Sequence, residues 1–136
     1  MEQRRVSVII LALSCACLAF AADKYSAVTG VWRAQMDGLP ALTMTISDEG
    51  GELTGAILFY LIRRNDGQPP RSSPGSPEPM FNLKFDGESL DFRVSHRRAH
   101  GNTNDPPVNF QLKITGPNQG ILVREKNESI RVSRDQ

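Results

Sequence analysis

The sequence predicts an all-β domain, built as an eight-stranded antiparallel up-and-down barrel. Apolar and polar residues alternate in eight short segments, the period-2 pattern of half-buried strands. Turns rich in Gly, Asp, Asn and Pro separate these segments. No segment after residue 22 carries a 3.6-residue period. Eight strands joined in order favour a closed barrel without a free edge, and a two-sheet sandwich is the alternative.

The first three strands are predicted over residues 28–36, 41–47 and 52–62. The first contains Trp32, the only Trp of the chain. A large indole near the start of a first strand is suited to plug one end of a small barrel, and Gly30 lets a neighbouring backbone come close. The third strand is apolar on both faces, which indicates that a partner or a loop covers its outer side.

The remaining strands follow two long loops. Residues 63–78 are rich in Pro, Gly and Ser and are predicted to form a long mobile loop. The next strand, 80–85, has Phe81, Leu83 and Phe85 on one side. An Asp-Gly pair, the strongest hairpin signal in the chain, turns it into the following strand. A second loop covers 97–106, and the five strands after the first loop span 80–85, 89–96, 107–115, 121–126 and 129–134.

Residues 1–21 are predicted to be an export signal peptide. Two arginines form a positive start, residues 6–20 are apolar, and a small-x-small motif ends at Ala21. Cleavage after Ala22 is the alternative. The apolar run is shorter than a membrane span, which needs about 20 residues.

The mature domain, residues 22–136, is predicted to be a single exported unit in the periplasm or the medium. Cys15 and Cys17 leave with the signal peptide, so no disulfide or thiolate chemistry remains. The residues before each cysteine fit a lipoprotein motif badly, which makes lipid anchoring the less favoured alternative. Loss of one acidic and two basic residues equalises the charges of the mature chain. A neutral balance argues against nucleic-acid binding.

The stretch Thr29-Gly30-Val31-Trp32 resembles the Gly-x-Trp opening of the calycin group, which includes lipocalins, fatty-acid-binding proteins and avidins. The resemblance implies that Trp32 lies at the closed end of a barrel and that an Arg of the last strand packs over it. Arg134 shares a face with the apolar residues of that strand and is the expected Arg, with Arg131 as the alternative. A guanidinium over an indole contributes about 0.5–2 kcal/mol.

Gly51-Glu52-Leu53-Thr54-Gly55 also looks avidin-like. Ala34 and Ile57, however, stand where avidins have a biotin-binding Asn and a Tyr, and the later biotin-cradling Trp residues have no counterpart. The resemblance therefore implies a calycin-like barrel without biotin binding. The chain also looks similar to small secreted lipocalin-like domains of bacteria that have no assigned function.

Both long loops share one end of a meander, because successive connections alternate between its ends. Arginine pairs at the base of each loop are suited to bind a carboxylate or phosphate through bidentate hydrogen bonds. The alternative is that they only solvate the strand ends. The predicted ligand contacts are Arg63, Arg64, His96, Arg97, Phe59 and Phe92.

The sequence favours a non-catalytic binding domain for a small apolar or anion-headed amphipathic molecule at the long-loop end. It has no nucleophile motif and no phosphate-cradling glycines, and His96 and His100 alone do not make a zinc site. No catalytic residue, cofactor or metal is therefore predicted. The alternative is a protein-interaction or envelope-associated module with a filled core, since eight-stranded barrels are small enough for side chains to fill.

Overall fold

The structure is a computed structural model that describes residues 23–95, 106–125 and 128–136. Residues 1–22, 96–105 and 126–127 lie outside this part, and with them the predicted signal peptide and most of the second predicted loop. The described residues form nine strands: β1 Gly30–Met36, β2 Leu39–Glu49, β3 Glu52–Arg63, β4 Arg71–Pro74, β5 Glu78–Phe85, β6 Ser89–Val94, β7 Val108–Gly116, β8 Gln119–Arg124 and β9 Glu128–Arg134.

Eight of these strands close an antiparallel up-and-down barrel. The chain runs in order around it through β1, β2, β3, β5, β6, β7, β8 and β9. Strand β9 then returns to β1, with Arg134 opposite Trp32 and Ser133 opposite Arg33. This last pairing joins the two ends of the sheet, which confirms the predicted barrel and excludes the two-sheet sandwich.

Strand β4 corrects the predicted loop over residues 63–78. It pairs antiparallel with residues 60–63 at the end of β3. The amide of Gly75 then donates a hydrogen bond to the carbonyl of Phe59 over 2.9 Å, and β5 continues along β3. Only residues 64–70 therefore connect the two arms of this hairpin. Pro74 is compatible with β4 because this strand lies at an edge of the sheet, where one side of the strand needs no backbone donor.

A β-bulge in β5 corrects the predicted face of Phe81. The register with β6 shifts between Phe81 and Lys84, and Asn82 adopts a φ of 54°. Phe81 lies opposite Arg93, whose side chain faces outward, whereas Leu83 and Phe85 pack against the core. Asn tolerates this left-handed conformation better than most residues, which explains the position of the bulge.

Side chains fill the barrel at the end that contains Trp32. Most of the largest fully buried side chains come from alternate positions of the strands, and Val28 belongs to the segment before β1. They are Trp32, Phe92, Met44, Ile46, Ile57, Leu90, Leu112 and Val28. Burial of each such side chain contributes about 1.5–3 kcal/mol. No buried residue in the described part of the chain is polar or charged.

The Trp32 end is closed by hydrogen bonds around the indole. The indole Nε1 donates to the carbonyl of Val28 over 2.8 Å. The guanidinium of Arg134 lies over the ring, with its Cζ atom 5.3 Å from the ring centroid. Arg131, the alternative, is exposed and lies opposite Ile121. A Cβ atom at Gly30 would lie 3.1 Å from the Arg134 Cδ, so a side chain, not the expected backbone, makes the close approach.

Candidate functional site

The two ends of the barrel carry different connections. The turns after β2, β5 and β7 lie at the Trp32 end, which we call the closed end. The connections after β1, β3, β6 and β8 lie at the opposite end, which we call the open rim. The predicted geometry of the meander holds here, because each antiparallel strand reverses the direction of the chain. The connection after β6 includes residues outside the described part.

Two neighbouring cavities open at the rim, with volumes of about 240 and 360 Å³. Phe59, Phe110 and Arg124 line both of them, so we treat the two as one site and call it the mouth. The smaller cavity is completed by Glu78, Val94, Ser95 and Val108. The larger is bounded mainly by apolar side chains, which include Met36, Leu42, Leu122 and Ile130.

Three phenylalanine rings connect the mouth to the core. Phe110 stacks on Phe92 with 5.4 Å between centroids and 9° between planes. The ring centroid of Phe59 lies 5.9 Å from that of Phe110. Such aromatic pairs contribute about 0.5–1.5 kcal/mol beyond their buried area. Phe92 is buried and Phe59 is 39% exposed, so the rings form a wall that runs from the filled core to solvent.

Arg124 brings a positive charge to the inner face of the mouth. It lies in β8 opposite Phe110 on one side and Glu128 on the other. Its Nη1 atom is 3.7 Å from Glu128 Oε2, and its side chain is 45% exposed. An exposed ion pair at this distance stabilises the fold by about 1 kcal/mol at most. The guanidinium therefore retains hydrogen-bonding capacity for an anion beside the phenylalanine wall.

Arg63 and Arg64, two of the predicted ligand contacts, lie away from the mouth. Arg63 ends β3 opposite Arg71, and both are exposed. Arg64 forms an ion pair with Asp37 in the turn after β1. Neither Arg63 nor Arg64 lines either cavity. Their guanidiniums thus lie on the outside of the rim, where the hairpin of β3 and β4 meets the first turn.

The other predicted ligand contacts divide into three groups. Phe59 lines both cavities, whereas Phe92 lies beneath them as the buried end of the aromatic wall. His96 and Arg97 lie outside the described residues. Sequence reasoning missed Arg124, although alternation with Leu122 in the predicted strand places both on one face. That inward register was the signal available for it.

Large apolar side chains are exposed around the same rim. Met36 is 50% exposed and Leu61 is 54% exposed, and with Phe59 they are the exposed large hydrophobic residues of the described chain. Leu58, Tyr60 and Ile62, at the alternate positions of β3, are half-buried instead, and Tyr60 and Ile62 also border the larger cavity. The apolar surface at the open rim is therefore carried by inward-facing positions of the strands that extend beyond the core.

Two larger depressions, of about 650 and 690 Å³, lie on the outer face of the barrel. Several of the polar side chains that line them bond to one another. In the first depression Gln111 Nε2 donates to Asp91 Oδ1 over 2.9 Å and Arg93 Nε to Asn109 Oδ1 over 2.8 Å, and in the second Arg33 Nε donates to Asp135 Oδ2 over 2.8 Å. Because these groups already have partners, the outer depressions offer a ligand less than the mouth does, despite their size.

A perturbed carboxyl group lies at the closed end. Asp86 Oδ1 accepts hydrogen bonds from the backbone amides of Ser89 and Glu88, each over 2.8 Å. Both bonds stabilise the charged form of Asp86 and therefore lower its pKa, and the bond from Ser89 has the larger effect. The group organises the turn between β5 and β6 and lines none of the four cavities described above, so we assign it a structural role.

Comparisons of the chain with protein-family models, with curated proteins and with solved structures gave no match. The closed antiparallel barrel is consistent with a calycin-like fold. Across residues 23–95, 106–125 and 128–136, no helix is long and apolar enough to cross a membrane. Within those same ranges, no group of three or more His, Cys, Asp or Glu side chains is arranged to hold a metal ion.

Proposed function

We propose that the protein is a non-catalytic, exported binding domain. Its ligand is a small amphipathic molecule with an apolar body and an anionic head group, bound at the mouth. The observation that carries the proposal is Arg124, a cation on the inner face of an otherwise mainly apolar site beside Phe59 and Phe110. The proposal keeps the predicted ligand class and barrel end, and it assigns the anion contact to Arg124 instead of Arg63 and Arg64; the predicted contact of Arg97 stays a prediction.

The two parts of the mouth suit the two parts of such a ligand. The apolar body enters the larger cavity, where each Å² of apolar surface removed from water stabilises the complex by about 25 cal/mol. The head group accepts charge-assisted hydrogen bonds from the guanidinium of Arg124. Side chains fill the barrel below Phe92, so the ligand occupies only the rim half. Its apolar body is therefore short or projects into solvent.

A fluorescence titration with 1-anilinonaphthalene-8-sulfonate tests this proposal, because the probe combines apolar rings with an anionic sulfonate. Saturable one-to-one binding is expected for the unaltered protein. Arg124→Met should weaken it about tenfold, the effect of losing roughly 1.4 kcal/mol of charge-assisted bonding. Arg131→Met is the matched control, since this exposed arginine lies on the adjacent strand and outside the mouth. Equal binding by both variants would contradict the proposal.

Export is proposed from the anatomy of residues 1–21, and the calycin-like relationship from the Gly-x-Trp opening. Expression of the full chain in a bacterial host, followed by mass measurement of the intact protein, tests export. A periplasmic or extracellular product that begins at Ala22 is expected. A full-length chain that remains in the cytoplasm would refute it.

A protein-interaction module is the second candidate, supported by the exposure of Met36, Phe59 and Leu61 at one rim. A photo-crosslinking amino acid at position 61 should then form one discrete adduct in the host cell. The same group at position 131, on the outer face of β9, should form none. Met36→Asp should abolish the adduct at position 61, and an adduct that persists in this variant would count against an apolar docking surface.

A further inference from the structure

Glu78 brings an unpartnered carboxylate oxygen to the smaller cavity of the mouth. It is the first residue of β5 and lies opposite Ile57, whose buried side chain faces the barrel interior. The Oε2 atom is buried and accepts no hydrogen bond in the part of the chain that the structure describes. The same cavity is lined by Arg124 and by the rings of Phe59 and Phe110.

The surroundings of Glu78 leave this oxygen to a ligand. A buried acceptor without a donor costs free energy, because it has lost water and gained nothing in exchange. Ser95 and Arg124 are the polar neighbours in the cavity, and neither donates to Oε2. The guanidinium of Arg124 lies 3.7 Å from Glu128 Oε2 on the neighbouring strand β9. Buried acceptors without a donor are uncommon in native proteins, so the one on Glu78 needs a specific explanation.

We infer that Glu78 accepts a hydrogen bond from the ligand, and that the ligand carries a donor, a hydroxyl or an amine, close to its anionic head group. The inference rests on the proposed function, because the head group must bind Arg124 for the donor to reach Glu78. One small cavity then holds an anion site and an acceptor site. A simple fatty acid leaves Glu78 unpartnered and brings its own carboxylate toward a second negative charge. A hydroxylated acid of the same length carries the same carboxylate charge, but its hydroxyl supplies the donor that Glu78 lacks.

Isothermal titration calorimetry with dodecanoate and 3-hydroxydodecanoate tests this inference. The unaltered protein should bind the hydroxy acid at least tenfold more tightly, in line with one hydrogen bond to a charged acceptor. Glu78→Leu should bind both acids equally. Glu78→Gln keeps the shape of the side chain and removes its charge, so it should bind dodecanoate several-fold more tightly than the unaltered protein does. Glu52→Leu, at the closed-end turn, should keep the full preference.

The outcomes separate this inference from the proposed function. If both acids bind the unaltered protein equally, and Arg124→Met weakens both, the mouth binds anionic amphiphiles and the role of Glu78 is refuted. A preference that survives in Glu78→Leu refutes it as well. If neither acid binds, the proposed function fails and the inference fails with it.

Discussion

Replacement of Arg134 by Met is expected to loosen the closed end of the barrel. The guanidinium joins three separate segments there: Nη1 donates to the carbonyls of Ser26 and Thr29, Nη2 to that of Pro117, and Nε to the side chain of Asn118. The lead-in before β1, the turn after β7 and the last strand are therefore connected through one side chain. Met retains most of the apolar stem and removes every one of these bonds.

The magnitude follows from the part-buried contacts. The bonds to Thr29 and Asn118, over 3.1 and 3.0 Å, are part-buried, and each contributes about 1.5 kcal/mol as a bond from a charged donor. The cation–π contact with Trp32 adds about 0.5 kcal/mol. The two exposed bonds exchange with water and add little. We therefore expect the free energy of unfolding to fall by about 3.5 kcal/mol, or Tm by about 10–15 °C for a domain of this size.

Trp32 reports the change directly, because it is fully buried and is the only Trp of the chain. Urea unfolding followed by its fluorescence gives the free energy of unfolding for the unaltered protein, Arg134→Met and Arg131→Met. The exposed Arg131 should change stability by less than about 0.5 kcal/mol when replaced. If Arg134→Met matches Arg131→Met, the hydrogen-bond network around Trp32 does not stabilise the barrel and the reasoning is wrong.

Three further predictions concern the turns and the core. Gly30→Ala should destabilise the protein by about 3 kcal/mol in thermal unfolding, because the residue has a φ of 121° and its new Cβ would also meet Arg134. Gly38→Ala, which has a φ of 76° but open space around it, should cost only about 1 kcal/mol. The pKa of Asp86 is lowered from 3.8, so its stabilising effect is complete above that pH and is lost as pH falls through the folded value. Asp86→Asn should therefore have a lower Tm than the unaltered protein at pH 6, and this difference should shrink as the pH falls below 3.8. A difference independent of pH would exclude a role of the charge. Phe92→Ala should lower the free energy of unfolding in urea by about 3–5 kcal/mol. It should also weaken probe binding at the mouth, since it removes the buried end of the aromatic wall. Unchanged probe binding would show that Phe92 does not support the binding site.

The fold was predictable because period-2 alternation fixes the face of each residue wherever a strand is regular. The last strand shows this: Arg134 shares its face with Val132, which is buried, and lies opposite Trp32. The same logic failed for Phe81, because the bulge at Asn82 exchanges the two faces. A single Asn in a strand gives too weak a signal to predict a bulge.

Strand β4 and the mouth show where sequence reasoning reached its limit. The Arg-Ser-Ser-Pro segment of β4 has no apolar alternation, and it joins the sheet through backbone hydrogen bonds that any sequence can form. Arginines near long loops drew attention to Arg63 and Arg64. Among the described residues, Arg124 is the cation that reaches the inner face of the mouth, and the pairing of β8 with β7 reveals its place beside Phe110. The unpartnered, buried oxygen of Glu78 likewise depends on neighbours far away in the sequence.

The most direct test of the mouth as the binding site is an NMR titration of the isotope-labelled protein with 3-hydroxydodecanoate. Saturable shifts of the amides of Phe59, Phe110 and Arg124 are expected, with no shift at Asp86 at the closed end, and Arg124→Met should suppress them. Shifts confined to the outer face or to the closed end, or no saturable shifts at all, would contradict an amphiphile site at the open rim.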